Sequence, residues 1–339
     1  MRVAAQGAGI ALTGVGDLHE LQELVDDPGS DRFYSALPYE YGDLNFRNLD
    51  VLYTIHDLRA LQMPTDTFAW RCAPTMTEVV MLQAKRPLAG LYRRYKHRHF
   101  ERLLGPKGRR RRIIVPSEHT KYSILVSFPE IRAEDVSVCY SPRTAVCERP
   151  DTDESLIEPL GLVDRGYILL VSSDRWVKNS YRAIMAIEEL YRRRPDLEQK
   201  RIVAVGGPPA RGPARWRDQH VCLSNVDVRL LATLYRHAFV LFYPSLNEGF
   251  GYPPLESMSY GTPVIASASS SIPEISGDGA TYVTPDSIEE MQNRLCWLLQ
   301  DRHAWVSCSE RAGRRYRTVS AAQDRMLAQL CRLLVQADA

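Results

Sequence analysis

The sequence is short of patterned cysteine. Its seven cysteines form no CxxC pair and no even framework, which suits thiols in a reducing compartment and argues against a disulfide scaffold or a metal cluster. Long apolar runs are missing too. No stretch of roughly 18 apolar residues occurs, so nothing reads as a membrane-spanning helix. The opening MRVAAQGAGIALTG holds one arginine, and glycines and a glutamine break up its apolar residues, which makes a poor signal peptide. Charge imbalance is small: a formal net charge of +2 is too little to imply a nucleic-acid partner. No internal repeat or low-complexity tract is evident. These absences lead to the expectation of a cytoplasmic protein.

What is present is an alternation of short β-type runs with longer helical patterns, the rhythm of an α/β fold with parallel sheets. A length of 339 residues with 45% apolar and 25% charged residues suits two globular domains. In the first half, strands are expected at Val51–Ile55, Ile113–Val115 and Val136–Cys139, with a helical stretch over Thr75–His99 interrupted at Pro87. Ser117 is placed to cap a helix starting near Glu118. The segment Ser141 to Arg165, with prolines at 142, 150 and 159, reads as a linker. The chain therefore divides into a first domain with linker over 1–160 and a second over 161–339. In the second, strands are expected at Tyr167–Ser172, Arg201–Val205, Phe239–Tyr243, Val264–Ala266 and Thr281–Val283. Helices are expected from Asn179 or Ser180 to Arg194, over Val228–His237 and from Pro254 to Tyr260. The last, Ser320 to Val335, is placed to pack back on the first domain.

One stretch carries most of the chemistry: NEGFGYPPLESMSYGTPVIAS, Asn247 to Ser267. A buried strand ends, a glycine-bearing loop turns, and a helix begins at prolines, which suit a first turn where their missing N–H is not needed. The remaining first-turn N–H groups and the helix dipole attract an anion such as phosphate. Gly249 and Gly251 allow a bulky ligand close to the backbone. Glu248 and Glu256 flank this cradle. Carboxylates repel phosphate but accept hydrogen bonds from vicinal hydroxyls, as on a sugar or a ribose. A ligand with phosphate in the middle and hydroxylated rings on both sides, such as a nucleotide-sugar, fits.

The same residues resemble the E-x7-E signature of retaining glycosyltransferases, specifically glycosyltransferase family 4 with the GT-B fold. The resemblance extends to YILLVSSDRWVKN (Tyr167–Asn179), LATLYRHAFVLFYPSLNE (Leu231–Glu248), SIPEISGDGATYVTP (Ser271–Pro285) and IVPSEHTK (Ile114–Lys121), and covers roughly residues 50 to 300. It implies two Rossmann-like domains with parallel sheets facing across a cleft. It also implies transfer of a sugar from a nucleotide-sugar donor to a glycan or lipid-linked acceptor, with retention of configuration and without a metal or cofactor. By resemblance Glu248 contacts the donor sugar, Glu256 holds the ribose, and Arg175 with Lys178 hold the diphosphate. Gly249, Phe250 and Gly251 line the donor site, and His56 faces the donor sugar from across the cleft, making Glu248, His56 and Lys178 the catalytic set. Many relatives carry arginine directly before the lysine, where this chain has Val177.

Other features weigh less. Thr13-Gly14-Val15-Gly16 resembles the family's glycine loop near the acceptor, making Gly14 and Gly16 acceptor candidates, but Asp17 follows where a basic or aromatic residue is usual. The interval to His56 is also short by one or two strand–helix units. G-x-G-x-x-G is not met, so a dinucleotide fingerprint is discounted. Asp57 is placed to cap the turn after His56. Asp151-Thr152-Asp153 is a D-x-D triplet in the linker, where solvated acids outnumber metal sites. The basic residues crowded between Arg93 and Arg112 form either a solvated face or a contact for an anionic membrane surface at its inner face. Two alternatives stay open. One is a non-catalytic GT-B subunit that binds nucleotide or scaffolds a partner enzyme. The other, a nucleotide-sugar epimerase, is disfavoured by the E-x7-E context.

Overall fold

The structure is a computed structural model that describes residues 21–23, 26, 32–40, 44–46, 49–105, 108–148, 152–207 and 220–335. Gly14 and Gly16 lie outside the described residues. Two parallel sheets organise the rest. The first runs in the order β1 (Arg32–Ser35), β2 (Asp50–Thr54), β3 (Arg110–Val115), β4 (Val136–Val138), with every neighbouring pair parallel. Its core sets Val51, Tyr53, Ile113 and Val115 against Phe100, Leu103, Leu104 and Ile124. The expected helical stretch is two helices, α1 (Met76–Lys85) and α2 (Ala89–Leu104). Pro87 lies in the break, because it cannot donate to the helical ladder. Thr75 and Glu78 close a capping box at the start of α1. Ser117 caps α3 (Glu118–Ser127) by accepting from the Thr120 N–H at 3.2 Å.

The second sheet contains β5 (Tyr167–Val171), β6 (Arg201–Val205), β7 (Val221–Leu223), β8 (Val240–Tyr243), β9 (Val264–Ser267) and β10 (Ala280–Val283). Their spatial order is β10-β9-β8-β5-β6-β7, all parallel. Counted within the domain this is the doubly wound order 3-2-1-4-5-6. Strands β5 and β8 are buried along their whole length, as befits a sheet covered on both faces. The covering helices are α4 (Ser180–Arg193), α5 (Val228–His237), α6 (Tyr252–Ser259), α7 (Ile272–Ser276), α8 (Ile288–Gln300) and α9 (Arg302–Val335).

Three differences from the sequence reading have local causes. Asn179 precedes α4 in a left-handed conformation without capping it (φ 61°); its amide donates instead to the Pro244 and Pro285 carbonyls at 3.0 and 2.5 Å. The final helix is one continuous element of 34 residues from Arg302 rather than a segment from Ser320, since no proline interrupts it. The linker does not stand apart: Val146, Cys147, Ile157 and Leu162 are buried in the core of the second sheet.

The end of α9 packs back on the first domain. Arg32 donates to the carbonyls of Leu333 and Leu334 at 3.1 and 2.8 Å, where a cation favours the negative end of a helix. Nearby, Gln323 donates to the Ser141 carbonyl at 2.6 Å, and the Tyr140 N–H approaches Met326 Sδ at 3.2 Å.

Candidate active site

The strand order reverses between β5 and β8, and a doubly wound sheet binds ligands in the crevice beyond the carboxyl ends of such strands. Both loops there carry candidate residues. After β5, a single turn at Trp176–Lys178 brings Lys178 inward, 6% exposed. After β8, the chain through Pro244–Gly251 brings Glu248 to meet it. Lys178 Nζ donates to Glu248 Oε1 at 2.7 Å and to the Tyr243 hydroxyl at 2.6 Å. Tyr243 OH and Ser245 Oγ donate to the same Oε1 at 2.7 and 2.5 Å. Burial alone pushes the Glu248 carboxyl up, but the Lys178 ammonium and these hydrogen bonds outweigh it and hold the group below its ordinary value. Burial, and then the Glu248 carboxylate, keep the Tyr243 phenol protonated. One oxygen of Glu248 is thus anchored three times. Oε2 takes no protein donor among the described residues and is not sealed from solvent, which leaves it open to a ligand hydroxyl.

Glu256 is arranged differently. It lies on α6, whose first turn holds Pro253 and Pro254 and which follows Gly251, whose φ of 99° calls for glycine. Its Oε1 accepts from Thr144 Oγ1 and its Oε2 from Tyr235 OH, both at 2.8 Å. It is 7% exposed, and burial pushes its carboxyl above the ordinary value despite the two hydroxyls. A ligand hydroxyl reaching Glu256 must therefore take the place of one protein hydroxyl. Thr144 is the replaceable one, since Tyr235 is locked in the core.

The raised value has a sign that can be tested. Below pH 4.5, the ordinary value, the carboxyl is protonated in both folded and unfolded chains. Above it the unfolded chain ionises first, so folding loses stability until the folded group ionises too. Stability of the native chain relative to Glu256→Gln is expected to fall as pH rises from 4.5 and then level off. Urea unfolding of both proteins across this range checks it; a flat difference counts against the raised value.

The first domain meets this site at the ends of its own strands. The His56 carbonyl and the Cβ of Asp57 lie directly against Gly249. The His56 ring lies with Nε2 2.9 Å from the Ala36 carbonyl, just beyond β1. Asp57 caps its turn by accepting from the Arg59 N–H at 2.9 Å. Ser117 Oγ donates to the Gly249 carbonyl at 2.7 Å. Glu274, at the start of α7, accepts from the Glu118 and His119 N–H groups at 2.9 and 3.0 Å, so a carboxylate of one domain caps a helix of the other. Arg182 and Asp66 form a two-pronged pair across the boundary, both bonds 2.9 Å, and Asn247 donates to Gln62 Oε1 at 3.0 Å.

The sequence reading thus finds Lys178, Glu248, Gly249, Gly251 and Glu256 gathered in one region. Phe250 is buried in the core beneath, and Arg175 stands exposed at the rim. The reading passed over Tyr243, Ser245, Arg182 with Asp66, and Glu274. Of these, only Tyr243 and Ser245 carry a signal, as polar groups at the end of a buried strand next to Glu248. The basic stretch is not one cluster. Arg93, Arg94 and Arg98 are exposed on α2, whereas Arg109 and Arg111, in and beside β3, pair with Asp50 and Asp135. Asp153 caps a turn by accepting from the Ser155 N–H at 3.0 Å. No described helix is long and apolar enough to cross a membrane.

Known proteins resemble this chain in part of its sequence and in its fold. Residues 153–315 match the family described as glycosyl transferases group 1. A stretch of 79 residues is 40% identical to the O-antigen chain mannosyltransferase RfbU of Salmonella typhimurium, covering 23% of this chain and 22% of that protein. Another, of 152 residues, is 31% identical to the D-inositol 3-phosphate glycosyltransferase of Corynebacterium glutamicum and covers 40% of this chain and 36% of that protein. Among solved structures, HepE of Anabaena in complex with UDP and glucose superposes with a TM-score of 0.69 at 14% identity, over 97% of this chain and 88% of that one. WaaG, a glycosyltransferase involved in lipopolysaccharide biosynthesis, gives 0.66 at 18% identity, over 97% and 86%. The chain has the GT-B fold, and its second half carries the match to glycosyl transferases group 1.

Proposed function

We propose that this protein is a retaining glycosyltransferase of family 4, moving a sugar from a nucleotide-sugar to a glycan or lipid-linked acceptor without a metal ion. The observation that carries the reading is the half-used Glu248 carboxylate at the switch point, one oxygen fixed by Lys178, Tyr243 and Ser245 and the other free. In this reading Glu248 Oε2 accepts from a hydroxyl of the donor sugar, Gly251 lets the donor lie close, Gly249 lets the first domain approach at His56 and Asp57, and Glu256 exchanges Thr144 for a ribose hydroxyl. Breaking the sugar–phosphate bond leaves charge on the departing diphosphate. Lys178 and Arg175 are the cations placed to stabilise it, and fixed charges in a water-poor site are worth most at that moment. The departing phosphate takes the acceptor's proton on the same face. His56 contributes from the first domain after its ring leaves Ala36. The exposed arginines of α2 hold the protein at the inner face of a membrane.

Calorimetry with a panel of nucleoside diphosphates, followed by a donor-hydrolysis assay, tests the reading. Glu256→Ala is expected to weaken nucleotide binding by about 1.5–3 kcal/mol, the worth of hydrogen bonds to a charged acceptor. Unchanged affinity removes the ribose role. The competing reading, a non-catalytic scaffold, draws on the first sheet having four strands among the described residues against six in the second. Binding of nucleotide with no donor hydrolysis under any condition favours that alternative.

A further inference from the structure

The buried charge pair that crosses the domain boundary leads to the donor loop. Arg182 is buried in the first turn of α4. Both burial and the positive end of the helix dipole disfavour a cation there, so it needs a compensating carboxylate. Among the described residues that carboxylate is Asp66, from the first domain. Phe68 lies with its ring 4.6 Å from the same guanidinium and 5.2 Å from the Tyr181 ring. Arg182 Nη1 reaches further, donating to Asn179 Oδ1 at 2.8 Å. Asn179 directly follows Lys178 and has a left-handed backbone, which a residue with a Cβ keeps only where its surroundings hold it. What holds it is its own amide, through the bonds to Pro244, Pro285 and Arg182. The other side of the turn is fixed within the second domain, where the Val177 carbonyl accepts from the Leu246 N–H at 2.8 Å and from Ser245 Oγ at 3.1 Å. Lys178 thus sits between two anchors, and the Asn179 anchor depends on the first domain.

We propose that Asp66 is a positioning residue for Lys178. Through Arg182 and Asn179 it fixes the turn that aims the ammonium at Glu248, so the donor site is complete only while the first domain is docked. The inference rests on the transferase reading, which gives Lys178 its task at the departing diphosphate. When the domains open, Arg182 loses its carboxylate, and its guanidinium turns to water because a lone buried charge is costly. Its bond to Asn179 goes with it, and the left-handed turn loses one of three supports. The long arginine side chain can follow small movements of Asp66, so the link responds to opening and not to minor shifts. A transferase that sets its phosphate-binding cation only on closure protects the donor from water in the open state.

Competitive acetylation of the full chain with acetic anhydride, read by mass spectrometry over a pH series, gives each lysine an ionisation midpoint and a limiting rate. Asp66→Asn removes the charge and keeps an oxygen for the Phe68 N–H, which Asp66 now accepts at 2.9 Å. It should raise the limiting rate at Lys178 at least tenfold. The Lys178 midpoint, held down by burial and by Arg175 and Arg59 against the pull of Glu248, should move up toward the ordinary 10.5 as the ammonium regains water. Lys200, also buried in the second domain and paired with Glu198, reports general loosening and should change in neither respect. Asn179→Gly keeps the left-handed turn, which glycine adopts freely, but cuts the link. It should alter Lys178 in the same way with Asp66 and Arg182 untouched. With UDP-glucose and GDP-mannose as probe donors, both variants should lower kcat for donor hydrolysis tenfold or more while KM stays within threefold, because a fixed charge counts most in the transition state. Unchanged acetylation of Lys178 in either variant overturns the proposal, as does native kcat in Asp66→Asn. A parallel rise at Lys200 also overturns it, since the pair would then only hold the domains together. If the native chain hydrolyses neither donor and binds neither UDP nor GDP, the transferase reading fails, and acetylation still decides whether Asp66 positions Lys178.

Discussion

Glu248→Ala is expected to abolish sugar transfer and to destabilise the second domain by about 3–5 kcal/mol, the cost of leaving a buried charge without its partner. The reason is the position of Lys178. At 6% exposure its ammonium has left most of its water behind, and the Glu248 carboxylate and Tyr243 hydroxyl replace that water at 2.7 and 2.6 Å. Take away the carboxylate and only a neutral phenol remains. The loss should be conditional on the lysine, and that separates stability from function. Lys178→Met together with Glu248→Gln removes both charges while keeping the volume, and replacing a whole buried pair by uncharged groups is often neutral. The double variant should therefore recover most of the stability in urea unfolding and recover no transfer activity. If Glu248→Ala unfolds like the native chain, the pair is not the anchor described here. If the double variant transfers sugar, neither side chain belongs to the chemistry.

Legibility in the sequence followed how local each feature is. The second domain was readable because its strands are continuous apolar runs, Tyr167–Val171 and Val240–Tyr243 among them, closed by turn residues. Glu248 and Glu256 could be found because they flank a glycine turn and a proline-started helix just after a strand end, and Lys178 because its segment resembles the family's basic loop. Two strands, β1 and β7, were missed: each is at a sheet edge, four and three residues long, and contains no fully buried residue. The partners across the domain boundary were illegible for another reason. Glu274 meets Glu118 and His119 from 155 or more residues away, and Arg182 meets Asp66 from 116. No periodicity or spacing encodes a contact of that kind. Only the packing of the two domains against each other does. The same holds for the two glutamates, alike as carboxylates in the sequence. One keeps an oxygen free and the other has both occupied, a distinction made by Tyr235, 21 residues before Glu256, and Thr144, 112 residues before it.

Gly249→Ala carries the other large expectation: a fall of about 100-fold in kcat/KM with little change in nucleotide affinity. A Cβ at this position would lie 1.8 Å from the His56 carbonyl oxygen and 2.8 Å from its carbon. Both obstacles are backbone, so no side chain can turn aside. An approach closer than 3.0 Å is not sustained, and the two segments must part by more than 1 Å. They belong to different domains, so the relief comes from separating the domains, and the Ser117 hydrogen bond to the Gly249 carbonyl is lost as they part. The groups that fix Glu248 side-chain geometry, Lys178, Tyr243 and Ser245, all lie in the second domain and stay in place. Donor binding should survive while the first domain, to which the proposed function assigns His56 and the acceptor, sits too far back. A displacement of about 1 Å costs on the order of 100-fold when reacting groups must be aligned, and closure also keeps water out. Ser117→Ala serves as the control: it removes the hydrogen bond without the clash and should cost tenfold or less. The measurements are steady-state transfer rates, calorimetry with nucleoside diphosphate and small-angle scattering. Native rates in Gly249→Ala would mean that this contact is not part of the working arrangement. A matching loss in nucleotide affinity would mean that the alanine had disturbed the donor loop itself rather than the approach of the first domain.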